Sequence, residues 1–378
     1  MMGRDNPGAA GEWASAGASQ GPTESPVPRT PSMKFLLPLL GVALSLHGAA
    51  FAADIKGAGA TFPSSVYKTW AAGYEKERGG KVSYQPTGSG DGIKRIVARE
   101  VDFGASDSPM NQADLDKNKL LQFPTAVGGI VPVVNLRGIA ANQLKLSGDV
   151  LADIMRGAIT QWNDKRIAAL NPELSLPVAS IVRVVRAEKS GTTEAFTKYL
   201  SLMSADWKAG VGHGQLVKWP GAVTAVEGND GIVKAMKDTP NAIGYASYDR
   251  VISARLAGVR MRNRTGQFVA ASEEGFRSAV QESDLDKKGD ETASLLDQSG
   301  PLSWPISITT YVLVDAQPKT AASAREALQF LYWAFLRGDP MIRNSGLTPL
   351  PTAVQARLVP RFQKVRPQDG QPLNFYAF

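Results

Sequence analysis

Cysteine is absent from the 378 residues, and histidine occurs only twice, as His47 and His213. Those absences exclude a disulfide framework, a cysteine-based zinc site, a cysteine nucleophile and any metal site built on clustered histidines. Metal chemistry would have to rest on carboxylates alone. Charge is also sparse: 20% of positions are charged, and 42 basic against 35 acidic residues give a net +7. The signs are interspersed without a run of Lys or Arg, the pattern of a solvated surface and not of a nucleic-acid-binding face. Apolar residues fill 43% of positions, enough in a chain of this length for two α/β lobes or one large domain.

The first 32 residues lack Leu, Ile, Phe and Tyr, and Gly, Ala, Pro and Ser supply 19 of them, so no core can form there. Residues 1–32 read as a disordered leader, or as sequence ahead of a true start at Met33. From Met33 a single lysine precedes the apolar run 35–46, which gives way to small residues ending Ala50-Phe51-Ala52. This is the layout of a secretory signal over 33–52, cleaved after Ala52 or one residue later. The run is shorter than the roughly 20 residues that a membrane-spanning helix needs. With no cysteine to carry a lipid, the expectation is an exported, unanchored protein of the periplasm.

Short β-branched or apolar runs at 81–84, 93–98, 102–105 and 126–135 alternate with helix-period segments, which implies an α/β protein with open sheets. Helices are expected over 64–75, where Val66, Tyr67, Trp70 and Tyr74 share a face, and over 149–162, where Leu151, Ile154, Met155 and Ile159 do. Polar loop chemistry occupies 283–300. The strand-like run 306–314 then mirrors 126–135, as expected if the chain leaves one lobe, builds a second and returns.

Four segments share one design, a Gly/Ser/Thr-rich turn running from a strand into a helix. They are Gly57-Ala-Gly-Ala-Thr61-Phe62-Pro63, Thr87-Gly-Ser89-Gly-Asp-Gly92, Gly104-Ala-Ser-Asp107-Ser-Pro109 and Arg186-Ala-Glu188-Lys189-Ser190-Gly191-Thr192-Thr193. A helix N-terminus leaves backbone N–H groups unpaired and carries partial positive charge, so it attracts anions. Any one of these serines or threonines alone would be an ordinary helix cap; their convergence is the stronger signal. The turns lack the third glycine of a dinucleotide fingerprint and the Gly-Lys-Ser/Thr of a P-loop, so a smaller anion fits better. Arg186 offers a planar fork for a tetrahedral oxyanion, with Glu188 placed to orient it. Asp107 repels an anion unless the ligand keeps a proton for it to accept, as phosphate does near neutrality and sulfate does not.

With these motifs in this order the chain resembles the periplasmic phosphate-binding proteins of Pst-type ABC phosphate importers. Further matching segments are Gln161-Trp-Asn-Asp164, Lys218-Trp-Pro220, Gly228-Asn-Asp-Gly231, Ala242-Ile-Gly-Tyr245 and Trp304-Pro305. The resemblance implies a two-lobed (type II) periplasmic binding-protein fold, each lobe a mixed sheet flanked by helices, with the ligand in the cleft between lobes. The lobes would be 53–135 with 310–378, and 136–309. It implies inorganic phosphate as ligand, held by Thr61, Phe62, Ser89, Asp107, Arg186, Ser190, Gly191 and Thr192, with no cofactor, no metal and no catalysis. It also implies a monomer that serves inner-membrane permease subunits driven by a cytoplasmic ATPase. Two alternatives stand beside it: a receptor for another oxyanion, or an exported serine hydrolase or phosphatase using Ser190. The chain departs from the family at Glu188-Lys189, where Asp-Gly is usual. This puts the Arg186–carboxylate geometry in question, with Lys189 expected to turn outward or to pair with Glu188.

Overall fold

The computed structural model describes residues 54–373. The leader 1–32 and the signal segment 33–52 lie outside the described residues. In chain order the first elements are β1 (Ile55–Gly59), α1 (Ser64–Arg78), β2 (Val82–Gln85), α2 (Ser89–Val97), β3 (Phe103–Ser106), α3 (Gln112–Asn118) and β4 (Leu120–Asn135). There follow β5 (Lys145–Leu146), α4 (Gly148–Arg156), α5 (Lys165–Leu170), β6 (Val182–Arg186), α6 (Gly191–Met203) and α7 (Ala205–Gly210). Next come β7 (Thr224–Val226), α8 (Gly228–Asp238), β8 (Ala242–Ser247), α9 (Tyr248–Ala254), β9 (Ala257–Gly258), β10 (Arg260–Arg262) and β11 (Phe268–Val269). The last are α10 (Glu273–Glu282), α11 (Asp284–Lys287), β12 (Ser307–Asp315), α12 (Ala321–Arg337), β13 (Leu347–Pro349) and α13 (Thr352–Phe362).

The main sheet runs β2-β1-β3-β12-β4-β8-β6-β7. Its pivot is β4, sixteen residues long and buried along nearly its whole length. Leu120–Gly129 pairs antiparallel with β12, and Ile130–Asn135 pairs antiparallel with β8. Each half of the strand thus belongs to a different mixed sheet: β1 is parallel to β2 and β3 on one side, and β6 is parallel to β7 and β8 on the other. A strand buried on both faces reads as a near-continuous apolar run, which is why 126–135 is visible in the sequence. The strand starts six residues before that run. Its first part contains Pro124, tolerated because the register shifts there: Tyr311 pairs with Pro124 and Thr310 with Ala126, so Thr125 forms a bulge.

The expected helix 64–75 is α1, which buries Val66, Tyr67, Trp70 and Tyr74 and ends at Gly79 in the left-handed conformation (φ 74). The expected helix 149–162 stops at Arg156 because Gly157 takes φ 82 and donates its N–H to the helix carbonyls. Ile159 and Trp162 are nevertheless fully buried, with Trp162 Nε1 donating to Asn241 O at 2.9 Å. The run 93–98 is helical and not a strand: Ile93–Val97 belongs to α2, and its Ile96 packs with Ala58 and Leu313. The polar segment 283–300 contains the single turn α11 and the buried side chains of Ser283, Leu285, Leu295 and Leu296, while the rest is loop. Among the described residues no helix is long and apolar enough to cross a membrane.

Candidate anion site at three helix N-termini

Three of the four turns behave as the sequence suggests. After β1 the chain makes the turn Thr61-Phe62-Pro63 and enters α1; after β2 it reaches Gly88 (φ 104) and enters α2; after β6 it enters α6 at Gly191. Pro63 stands just before the first helical residue instead of occupying it. The fourth turn differs. After β3, α3 does not begin until Gln112, capped by Asn111, so Asp107 comes from the loop and not from a helix start.

Sheet order brings these turns together. Arg186, at the end of β6, is 2% exposed, and its Nη2 donates to Thr61 Oγ1 at 3.1 Å. Asn229 Nδ2 donates to the same oxygen at 2.8 Å. With its acceptor capacity taken up twice, the Thr61 hydroxyl must direct its own hydrogen elsewhere. Ser89 Oγ accepts from Asp107 N at 3.2 Å, which likewise leaves its hydrogen free to be donated. Gly191 sits so close to these groups that a Cβ there would lie 2.6 Å from Ser89 Oγ and 2.8 Å from Asp107 Cβ. Phe62 has a fully buried ring packed against Gly128, so only its backbone is available to a ligand.

Asp107 is 5% exposed. Its Oδ1 accepts from Thr310 Oγ1 at 2.9 Å and its Oδ2 from Thr192 Oγ1 at 3.2 Å. Burial pushes its carboxyl up to about 6, against the opposing pull of Thr310, Arg186 and Thr192. Glu188 answers the question raised by the Glu-Lys departure. Its Oε1 accepts from Arg186 Nε at 2.9 Å, from Arg186 Nη2, and from Gly228 N at 3.1 Å. The longer side chain therefore reaches the guanidinium, and Lys189 is exposed, as expected. Arg186 Nη1 and Glu188 Oε2 are buried without a protein hydrogen-bond partner. A cavity of about 360 Å³, lined by Thr61, Ser64, Thr87, Glu188, Asn229 and Arg250, adjoins this cluster.

Ser190 caps α6, its Oγ accepting from Thr193 N at 3.2 Å, and His213 is exposed, so the hydrolase reading gains no nucleophile–base pair here. Among the described residues no group of three or more His, Asp or Glu side chains is placed to hold a metal ion.

Four residues at the site were not singled out from the sequence. Thr310 sits in a β-branched strand where one more threonine carries no signal. Thr193 and Tyr245 share a hydrogen bond of 2.7 Å behind Arg186, and burial pushes the Tyr245 hydroxyl up to about 12. Asn229 lies in the Gly228-Asn-Asp-Gly231 segment that supports the family resemblance, and that segment was its only advance signal.

A profile of the PBP superfamily domain matches residues 44–337. The phosphate-binding protein PstS of Haemophilus influenzae is 42% identical over 305 residues, spanning 81% of this chain and 91% of that protein. The phosphate-binding protein PstS of Pasteurella multocida is 40% identical, spanning 85% and 94%. Among solved structures, a phosphate binding protein from Stenotrophomonas maltophilia superposes with TM-score 0.61 at 20% identity, covering 82% of this chain and 94% of that one. A high affinity periplasmic phosphate-binding protein bound with phosphate superposes with TM-score 0.62 at 21% identity, covering 81% and 92%. At these identities the superpositions establish the fold, the two-lobed α/β arrangement of periplasmic binding proteins. By fold and by sequence relatedness along most of its length, the chain belongs to the PBP superfamily and, within it, to the family of the phosphate-binding protein PstS.

Proposed function

We propose that the protein captures inorganic phosphate in the periplasm and hands it to an inner-membrane ABC permease driven by a cytoplasmic ATPase, without catalysing a reaction. The observation that carries this reading is the buried pair Arg186 and Asp107, set among the N-termini of α1, α2 and α6. Arg186 and the helix amides supply donors for a tetrahedral anion. Above about pH 6 Asp107 is ionised and only accepts, so it rewards a ligand that still carries a proton. Phosphate meets that condition and sulfate does not.

The ligands in this reading are Thr61, the Phe62 backbone, Ser89, Asp107, Arg186, Ser190, Gly191 and Thr192, with Glu188 orienting Arg186. The lobes in this reading are 53–135 with 310–378, and 136–309, closing on the ligand like a hinge. Relatives named for phosphate binding support the ligand, and the secretory layout of 33–52 supports the location.

The test is calorimetric titration of the phosphate-stripped chain from residue 53 onward near neutral pH, with sulfate and Asp107→Asn in parallel. The expected result is saturable one-to-one phosphate binding, no sulfate heat from the wild type, and sulfate binding appearing in the variant. No phosphate heat, or equal heats for both anions, would refute the assignment.

A further inference from the structure

The turn that carries Thr61 and Phe62 leads directly into α1, and the first two residues of that helix are gripped from the far side of β4. Arg250 Nη2 donates to Ser64 Oγ at 2.9 Å, and Ser65 Oγ donates to Asp249 Oδ2 at 2.7 Å. Arg250 Nη1 closes the circuit on that same carboxylate oxygen at 3.1 Å. Ser64 and Asp249 are buried, 1% and 4% exposed. Arg250 Nε lies 2.7 Å from the largely exposed Asp230, an ion pair off the hydrogen-bonding line.

Asp249 and Arg250 stand in the first turn of α9, immediately after β8. Asn229 Oδ1 accepts from Ser247 N at the start of that helix, while its Nδ2 donates to Thr61. The segments following β7 and β8 therefore hold, between them, the turn before α1 and the first two residues of the helix. That helix has no acidic residue in its own first turn, so the Asp249 carboxylate supplies the negative charge that its positive end favours.

We propose that Asp249 and Arg250 form a clasp that keeps the first turn of α1 closed over the bound anion, which makes them positioning residues that set how fast phosphate leaves. The inference rests on the phosphate-capture reading above. Neither residue belongs to the group around Arg186 and Asp107; they act through α1, whose start aims the Thr61 hydroxyl and the neighbouring amides. Ser64 and Ser65 move with β1 and β2, whereas Asp249 and Arg250 move with β8, so separating the two sheets breaks both bonds that cross to α1. A contact made only on closure slows dissociation and leaves association, which begins from the open form, nearly unaltered. A buried, charge-assisted contact of this kind lies at the strong end of the hydrogen-bond range.

The experiment uses the full exported chain as wild type, Arg250→Ala, Arg250→Lys and Asp249→Asn. Equilibrium titration with inorganic phosphate comes first, then release of radiolabelled phosphate chased with unlabelled phosphate, and melting of the ligand-free proteins. Arg250→Ala and Asp249→Asn are expected to release phosphate about 10-fold faster. Association should stay within a factor of about two, and ligand-free melting should barely move. Arg250→Lys, which keeps the positive charge beside Asp249 but not the two-nitrogen fork, should recover part of the slow release. Unaltered release in Arg250→Ala would overturn the clasp while leaving phosphate capture standing. Faster release that tracks a fall in ligand-free Tm, without recovery by Arg250→Lys, would also overturn it, since a staple present in both open and closed forms behaves that way. A wild type that binds no phosphate would remove the capture reading and the clasp together.

Discussion

At the scale of single residues the proposed site turns on Asp107, a buried carboxylate set beside the hydroxyls of Thr192 and Thr310. Its carboxyl is raised by burial from 3.8 to about 6, so the folded protein holds the proton more tightly than the unfolded chain. Such a group contributes stability in full below its unfolded value, and that contribution disappears as pH rises through the folded one. Asp107→Asn should therefore stabilise the ligand-free protein at about pH 8, by up to about 3 kcal/mol, and leave it nearly unchanged at about pH 4. Urea unfolding at the two pH values checks both sign and size. Glu188 makes a second residue-scale prediction. Because it already engages both Nε and Nη2 of Arg186, Glu188→Asp combined with Lys189→Gly should change phosphate affinity by less than about threefold. A large gain in calorimetry would show that the Glu-Lys pair weakens the site. Residue type and turn context pointed to Thr61, Asp107 and Arg186, and the fold does bring Arg186 onto Thr61. The sequence was silent on Thr310, because that hydroxyl is one of many in a β-branched strand and reaches Asp107 across 203 positions of sequence.

At the scale of elements, the working unit is a strand, a glycine-rich turn and a helix, and its closeness to its neighbours is what a substitution can test. An alanine methyl at Gly191 would meet Ser89 Oγ at 2.6 Å and Asp107 N at 3.0 Å, forcing α6 away from both. Gly191→Ala should lower phosphate affinity about 10-fold or more. Ligand-free melting should be little affected, since the clash arises only when the two sides meet; calorimetry and thermal unfolding on one preparation separate the effects. Three such units were readable from turn chemistry and hydrophobic period, which are local properties. The run 93–98 was not, because a short apolar stretch fits a strand or one face of a helix equally well, and the packing of Ile96 against Ala58 and Leu313 decides for the helix. The stop of α4 at Gly157 and the loop delivery of Asp107 were missed for a related reason. One glycine or one proline marks a boundary without saying how far away the next helix begins.

For the molecule as a whole, β4 and β12 impose a mechanical consequence. Because the two halves of β4 pair with different partners inside one buried strand, neither sheet can lose its order without disturbing the other. Calorimetric unfolding of the ligand-free protein should show one transition and not two. Phosphate at about 1,000 times its Kd should add about 4 kcal/mol by mass action. Two separated transitions would mean that the lobes fold independently of their shared strand. Composition and local pattern were enough to establish an α/β chain without cysteine or clustered-histidine chemistry, with donors gathered at helix starts and a family resemblance along most of its length. These follow from which residues are present and how they are spaced over a few turns. Sheet order was needed to bring Arg186 to Thr61 across 125 positions, to aim Thr310 from beside the bulge at Thr125, to bury Asp107 until its acidity shifts, and to set Asp249 and Arg250 against α1. Burial and proximity between distant segments are properties of the packed chain, and no local spacing encodes them.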